Sequence, residues 1–279
     1  MDYKSIIQNG NDVVVTEVNH FNLAETLDNG QAFRWRVDEE GTFSGIAHGR
    51  RLDVELMDGN LTLKNVTLSE FDTIWKDYFD LNRDYSVLRN MFNNCDNMVK
   101  ALAFSPGLRL MRQDTWEMLI SFILSQNSNI PRIKQMIALL CQHFGRPIAG
   151  STTDFAFPTP QALASLCESD LAPIKTGYRA PYIIDAAKRV AGGMLDLNEP
   201  SHMPTAEVRE ALLSVHGVGP KVADCVLLFG FGRLECFPLD VWMKRVMVTL
   251  YPSGFPSELS EYAGIAQQFL FHYARVHGL

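Results

Sequence analysis

Along the first hundred residues, apolar positions alternate with polar ones. Leu52, Val54 and Leu56 share one face, Asp58-Gly59 supplies a turn, and Leu61 and Leu63 return on the same face, which predicts a β-hairpin. Val13 to Val15, Phe33 to Val37 and Phe43 to Ile46 have the same short β-branched or aromatic character, set apart by Gly and Asn. Helical stretches are expected near residues 23–28 and 69–92. From Asp114 the spacing becomes helical. Trp116, Leu119, Ile120, Ile123 and Leu124 repeat at i, i+3, i+4, i+7 and i+8, and Asp114 with Glu117 forms a start resembling a capping box. Ile133, Ile137, Leu140, Cys141 and Phe144 make a second stripe after Pro131, and Tyr182, Ile183, Ala186, Ala187 and Val190 a third. The pattern predicts a sheet-rich N-terminal domain followed by an all-helical one, an α+β architecture.

Composition narrows the classes of function. A chain of 279 residues, 47% hydrophobic and 20% charged, is ordinary globular protein with enough apolar surface for one or two cores. No apolar run approaches the roughly 20 residues of a membrane span, and the first residues lack a basic segment followed by an apolar one. The expectation is therefore no membrane association and a cytoplasmic location. Five cysteines contain no CxxC pair and no four-cysteine cluster for an iron–sulfur centre, and the seven histidines have no ligand spacing, so no metal site is expected. The net charge of -7 argues against binding nucleic acid through bulk basicity. That excess lies entirely in residues 1–170, however, while residues 171–279 are balanced, so an anionic partner should meet the second half.

The most informative segment, Leu212 to Cys225, reads as helix, Gly-x-Gly hairpin and helix, within about 206–231. Gly217 and Gly219 permit backbone conformations closed to other residues and leave amides exposed, while the following helix presents its positive end. Together they form an anion seat that could hold a DNA phosphate without basic side chains, although a glycine-rich turn between helices is the plainer alternative. Lys221 opens the second helix, where the dipole disfavours a cation, and a neutral amine there could attack a carbon centre. Cys225 follows at i+4 on the same face. In Phe237-Pro238-Leu239-Asp240-Val241-Trp242, Asp240 stands just ahead of another helix. An aspartate there is ordinarily an N-cap, and a carboxylate so held is also suited to stabilising a cationic sugar or orienting a nucleophile. Near the end, Leu259, Tyr262, Ala266, Phe269, Leu270 and Tyr273 should form a buried stripe, with Gln267 and Phe271 turned roughly 100 to 140 degrees from its centre.

These residues resemble the 8-oxoguanine DNA glycosylase/lyases of the helix-hairpin-helix Gly/Pro/Asp superfamily. The likeness extends to Asn29-Gly30-Gln31-Ala32-Phe33-Arg34-Trp35, Arg109-Leu110-Met111-Arg112-Gln113-Asp114 and Ala266-Gln267-Gln268-Phe269-Leu270-Phe271, and the lack of extensions looks bacterial or archaeal. The resemblance implies an antiparallel, TBP-like sheet domain over 1–104 and a helical glycosylase module over 105–279. It implies excision of 8-oxoguanine opposite cytosine through a Schiff base on Lys221, then β-elimination, with Asp240 supporting the oxocarbenium-like state. Gly30, Cys225, Gln267 and Phe271 would line the slot for the flipped base. Asn127 would fill the vacated space, Tyr178 would act as a wedge, Arg132 and Arg179 would read the orphaned cytosine, and Gly217, Gly219 and Val222 would hold the DNA backbone. The implied partner is duplex DNA containing 8-oxoguanine, bound by a monomer without a cofactor, although a cation held by hairpin carbonyls is admitted.

Two residues depart from the eukaryotic pattern. Trp242 stands where that type has His, and Ser128 breaks the asparagine run Asn127-Ser128-Asn129. An indole N–H donates one hydrogen bond but carries no charge. Two other readings use the same residues: a monofunctional helix-hairpin-helix glycosylase for alkylated purines relying on Asp240, and a non-catalytic DNA-binding module whose hairpin only grips phosphate.

Overall fold

The computed structural model describes residues 1–198 and 202–278. Strands are β1 (Ser5–Asn9), β2 (Asp12–Thr16), β3 (Trp35–Val37), β4 (Phe43–Ala47), β5 (Arg50–Met57) and β6 (Asn60–Lys64). In the N-terminal part, helices are α1 (Leu23–Leu27), α2 (Leu68–Glu70), α3 (Lys76–Tyr78), α4 (Tyr85–Phe92) and α5 (Asp96–Phe104). They continue with α6 (Thr115–Leu124), α7 (Ile130–Phe144), α8 (Pro160–Ala164), α9 (Ala180–Ala191), α10 (Thr205–Leu213), α11 (Pro220–Phe229), α12 (Val241–Leu250) and α13 (Ala263–His277). The chain forms two compact units. The first takes residues 1–44, 52–112 and 233–279, and the second takes 45–51 and 113–232. The fold is α+β, a six-stranded antiparallel sheet and a helical module, as the periodicity predicts.

The sheet runs β1-β2-β6-β5-β4-β3. Its register sets Val13 and Val54 on either side of Leu63, and Val15 and Leu56 on either side of Leu61. Of these, all but Leu56 are fully buried, so the alternation in the sequence becomes one apolar face. Asp58 and Gly59 both have positive φ, 50° and 75°, as a two-residue hairpin turn requires. Strand β1 has no alternating pattern because it is the outer strand and mostly faces solvent.

The region expected to be helical near 69–92 is interrupted in two places. A π turn over Phe71–Trp75 widens the spiral between α2 and α3, and the chain leaves the helix between Tyr78 and Tyr85. The wider turn lets both Phe71 and Trp75 enter the core, where buried Tyr78 and Phe79 join them and Trp75 meets Tyr78 edge-on at 5.6 Å. Helix α13 departs from the expected stripe. Residues 263–270 are buried on every side, because α5 and α12 both pack on it, whereas Tyr262 and Tyr273 are only half-buried.

At the centre of the first unit, Arg109 is fully buried. Its guanidinium pairs with buried Asp2 at 2.6 Å and donates to the carbonyls of His20, Asn19, Asp80 and Arg83. The ring of Tyr85 lies 4.4 Å from it.

In the second unit α6 is capped by Asp114, which accepts the Glu117 amide at 2.8 Å, and it packs on α11 with Phe122 stacked on Phe229 at 5.4 Å. Helix α7 is capped by Asn129, which accepts the Arg132 amide. No described helix is long and apolar enough to cross a membrane.

Candidate active site

The hairpin between α10 and α11 is held by three neighbours in the second unit. Gly217 has φ +80°, and a Cβ there would run into the ring of Tyr182 on α9. Asp185, also on α9, accepts the His216 amide at 2.9 Å, and Gln126 Nε2 donates to the Gly217 carbonyl at 3.1 Å. Gly219 differs. Its φ is -99° and nothing lies within 4 Å of the place a Cβ would take, so the protein leaves space in front of it. The Val222 side chain is buried. Pro220 has no N–H, and the amides of Lys221 and Val222 belong to the first turn, where no helical carbonyl can accept them.

Gly217→Ala should therefore lower stability by about 2 kcal/mol or more, from left-handed strain and the Tyr182 clash. Gly219→Ala should leave stability within about 0.5 kcal/mol, yet weaken duplex binding through its methyl group. Urea denaturation of both variants beside a DNA titration checks the contrast; equal loss of stability in the two would contradict it.

Lys221 is half-buried. Its Nζ donates to Ser125 Oγ at 3.4 Å and lies 4.9 Å from the centre of the Phe122 ring, both on or just beyond α6. Cys225 is buried one turn further along α11. Ser125 carried no signal in the sequence, since only the packing of α6 on α11 brings it to the amine.

In the first unit Asp240 caps α12, accepting the Met243 amide at 2.8 Å, and is half-buried. Trp242 lies under the guanidinium of exposed Arg245, 5.1 Å from the ring, so a fixed charge stands beside the position where the eukaryotic type has His.

Gly30 has φ +95°, a conformation that favours glycine. It follows fully buried Asn29, whose Nδ2 has no hydrogen-bond partner, and precedes Gln31, whose side-chain amide donates to the carbonyls of Thr26 and Arg109. Gln267 is 3% exposed, donating to the Pro238 carbonyl at 3.2 Å and accepting from Gln268 at 2.7 Å. Helical phase turns it off the stripe, but α13 is enclosed there on that side too. Phe271 is half-buried, with the Arg275 guanidinium 5.7 Å from its ring centre. Arg275 also donates to the Asp28 carbonyl, tying Phe271 to the turn that carries Gly30. Burial lowers the Arg275 pKa from the usual arginine value, and Asp28 opposes the shift.

The loop residues form one network in the second unit. Asn127 is exposed, has φ +46°, and donates through Nδ2 to Tyr178 Oη at 3.1 Å. Arg179 is 3% exposed. It donates to the carbonyls of Gln126, Thr176 and Asn127, with its guanidinium 4.5 Å from the Tyr178 ring. Gln126, which the sequence did not single out, joins this turn to the hairpin because its carbonyl takes Arg179 and its side-chain amide holds Gly217. Ser128 turns its hydroxyl inward. Arg132 is exposed on the first turn of α7, where Asn129 holds its backbone amide and its side chain is left to solvent. Among the described residues no group of three His, Cys, Asp or Glu side chains could hold a metal ion.

A hairpin that presents amides, an amine at the first turn of the next helix and a capping aspartate beyond it are the parts of a helix-hairpin-helix DNA glycosylase. Residues 120–260 match the HhH-GPD superfamily of base excision DNA repair proteins, and the chain belongs to it. Residues 13–119 match the family described as 8-oxoguanine DNA glycosylase, N-terminal domain. Similar proteins include the N-glycosylase/DNA lyase of Saccharomyces cerevisiae, 34% identical over 80% of this chain and 66% of its own length. The probable N-glycosylase/DNA lyase of Methanothermobacter thermautotrophicus is 32% identical over 94% of this chain and 96% of its own. Among solved structures, the Clostridium acetobutylicum 8-oxoguanine glycosylase/lyase, bound to duplex DNA with cytosine opposite 8-oxoguanine, superimposes with a TM-score of 0.94. It is 34% identical, over the whole of both chains.

Proposed function

We propose that the chain is a bifunctional DNA repair glycosylase that excises 8-oxoguanine opposite cytosine and then cleaves the strand by β-elimination. The observation that carries this is Lys221 at the first turn after an anion-seating hairpin, its amine beside Ser125 Oγ and the Phe122 face. The neutral amine attacks C1′ of the flipped nucleotide. The Nζ–C1′ bond forms as the bond from C1′ to the base breaks, and the base leaves with its electron pair and takes up a proton. Ring opening gives an iminium ion. Loss of a C2′ proton then expels the 3′ phosphate and nicks the strand.

Asp240, fixed by the Met243 amide, supports the positive charge that develops on the sugar. The Gly30 carbonyl accepts the N7 hydrogen that only the oxidised guanine has. A normal guanine would leave that acceptor buried and unpaired, at a cost of about 1 to 3 kcal/mol. Cys225 and Phe271 sandwich the base and Gln267 reads its Watson–Crick edge, which requires Gln267 to exchange its hydrogen bond with Pro238. Asn127 fills the gap beside Tyr178, while Arg132 and Arg179 read the orphaned cytosine. Arg179 must release the Gln126 and Asn127 carbonyls to do so. Gly217, Gly219 and Val222 seat the backbone phosphate. The chemistry so written calls for no cofactor, and a cation at the hairpin carbonyls would only steady the seat. The setting is the cytoplasm of a prokaryote, at the nucleoid, with the enzyme acting as a monomer.

Duplexes carrying 8-oxoguanine opposite cytosine, 8-oxoguanine opposite adenine, and undamaged guanine test this. Excision at least tenfold faster opposite cytosine, with strand nicking and no release of normal guanine, is expected. Equal rates opposite adenine would remove the cytosine-reading roles, and release of an alkylated purine without nicking would replace the activity itself.

A further inference from the structure

A cavity of about 600 Å³ opens between the first turns of α7 and the turn at Ile174-Lys175. Arg132, Gln135 and Lys175 line it together with the apolar side chains of Met136, Leu139 and Ile174, and no carboxylate does. Lys175 has φ 59° and ψ 36°, a left-handed backbone that costs a lysine about 1 kcal/mol relative to glycine. The same lysine lines an adjoining cavity of about 560 Å³, which Glu168 also borders and which reaches Gly177, the residue before Tyr178. An exposed cation is thus held in a conformation glycine would adopt more easily, in a cavity shared with Arg132.

We propose that this cavity seats a nucleotide of the strand opposite the lesion, its phosphate on Lys175 and its deoxyribose against Met136 and Leu139. The positive charge suits a polyanion, while the apolar part suits the carbon face of a sugar rather than a bare phosphate. The choice of strand rests on the reading above, in which Arg132 meets the orphaned cytosine. Continuity carries it further, because Lys175 stands next to Thr176, whose carbonyl holds Arg179.

Lys175→Gly separates charge from fold, since glycine relieves the left-handed strain. Its melting temperature should be no lower than that of the wild type. Its affinity for the lesion duplex at about 0.1 M salt should fall by about three- to tenfold, and the slope of log K against log salt should lessen by about 0.9, the value for one phosphate no longer neutralised. Uncharged methylphosphonates placed one at a time along each strand then locate the phosphate that Lys175 meets. One position in the strand opposite the lesion should weaken the wild type and leave the variant unaffected. An unchanged salt slope, or a matching position on the lesion strand, would overturn the proposal. Wild-type excision of 8-oxoguanine in the same duplex is the control: its absence would overturn the proposed function, and the strand assignment with it.

Discussion

Lys221→Gln should fold normally yet release 8-oxoguanine about a thousandfold or more slowly than the wild type, with strand nicking abolished. The expected size follows from chemistry. Glutamine keeps most of the length of the side chain and a donor toward Ser125 Oγ, but its amide nitrogen has no lone pair for attack on C1′, so the covalent path is closed. Stability should change by less than about 1 kcal/mol, because the amine makes only one long hydrogen bond and rests on one ring face. Single-turnover excision beside thermal denaturation checks both parts. Retained nicking in the variant would move the nucleophile elsewhere.

The largest effect on stability is expected at a residue with no part in the chemistry. Arg109→Met should destabilise the protein by about 3 to 5 kcal/mol, because it leaves the buried Asp2 carboxylate without its partner and the carbonyls of Asn19, His20 and Arg83 without a donor, while the Asp80 carbonyl keeps only the Arg83 amide at 3.4 Å. Asp2 keeps the Tyr85 amide, at 2.6 Å, but the interaction of the guanidinium with the Tyr85 ring goes as well. For a chain of this size that corresponds to a fall in melting temperature on the order of 10 °C. Combining Arg109→Met with Asp2→Asn should cost less than the sum of the two single changes, because the unpaired charge is then gone. Strict additivity in urea denaturation would show that the pair is not coupled.

Arg109 also shows how far the sequence could be read. It stood in a segment that carried the family resemblance, but no local pattern indicates that an arginine is fully buried, since its side chain's hydrogen-bond partners lie 26 to 107 positions away. Elements with a strong period were legible. The hairpin of β5 and β6, helix α6 and the Asp240 cap all follow from alternation, helical spacing and capping chemistry that act over a few residues. Strand β1, helix α5 and the π turn after α2 were not. The first is an exposed outer strand, the second owes its place to packing on α13, and the third is a local irregularity that brings two aromatic side chains inward together.

The same distinction holds at the candidate site. Gly217, Lys221 and Cys225 were visible because one hairpin carries them. Ser125, Gln126, Tyr182 and Asp185 were not, because they reach the hairpin from α6, the loop after it and α9, and their sequence surroundings are ordinary for a loop or a helix face. Helical phase gave the direction of Gln267 off the stripe but not its burial, since phase does not report what packs beyond a side chain.

The most direct test is borohydride trapping on a duplex containing a single 8-oxoguanine opposite cytosine, with wild type and Lys221→Gln side by side. The wild type should form a covalent enzyme–DNA adduct that maps to Lys221, and the variant none. An adduct formed equally by the variant, or base release by a wild type that cannot be trapped, would contradict the Schiff-base mechanism.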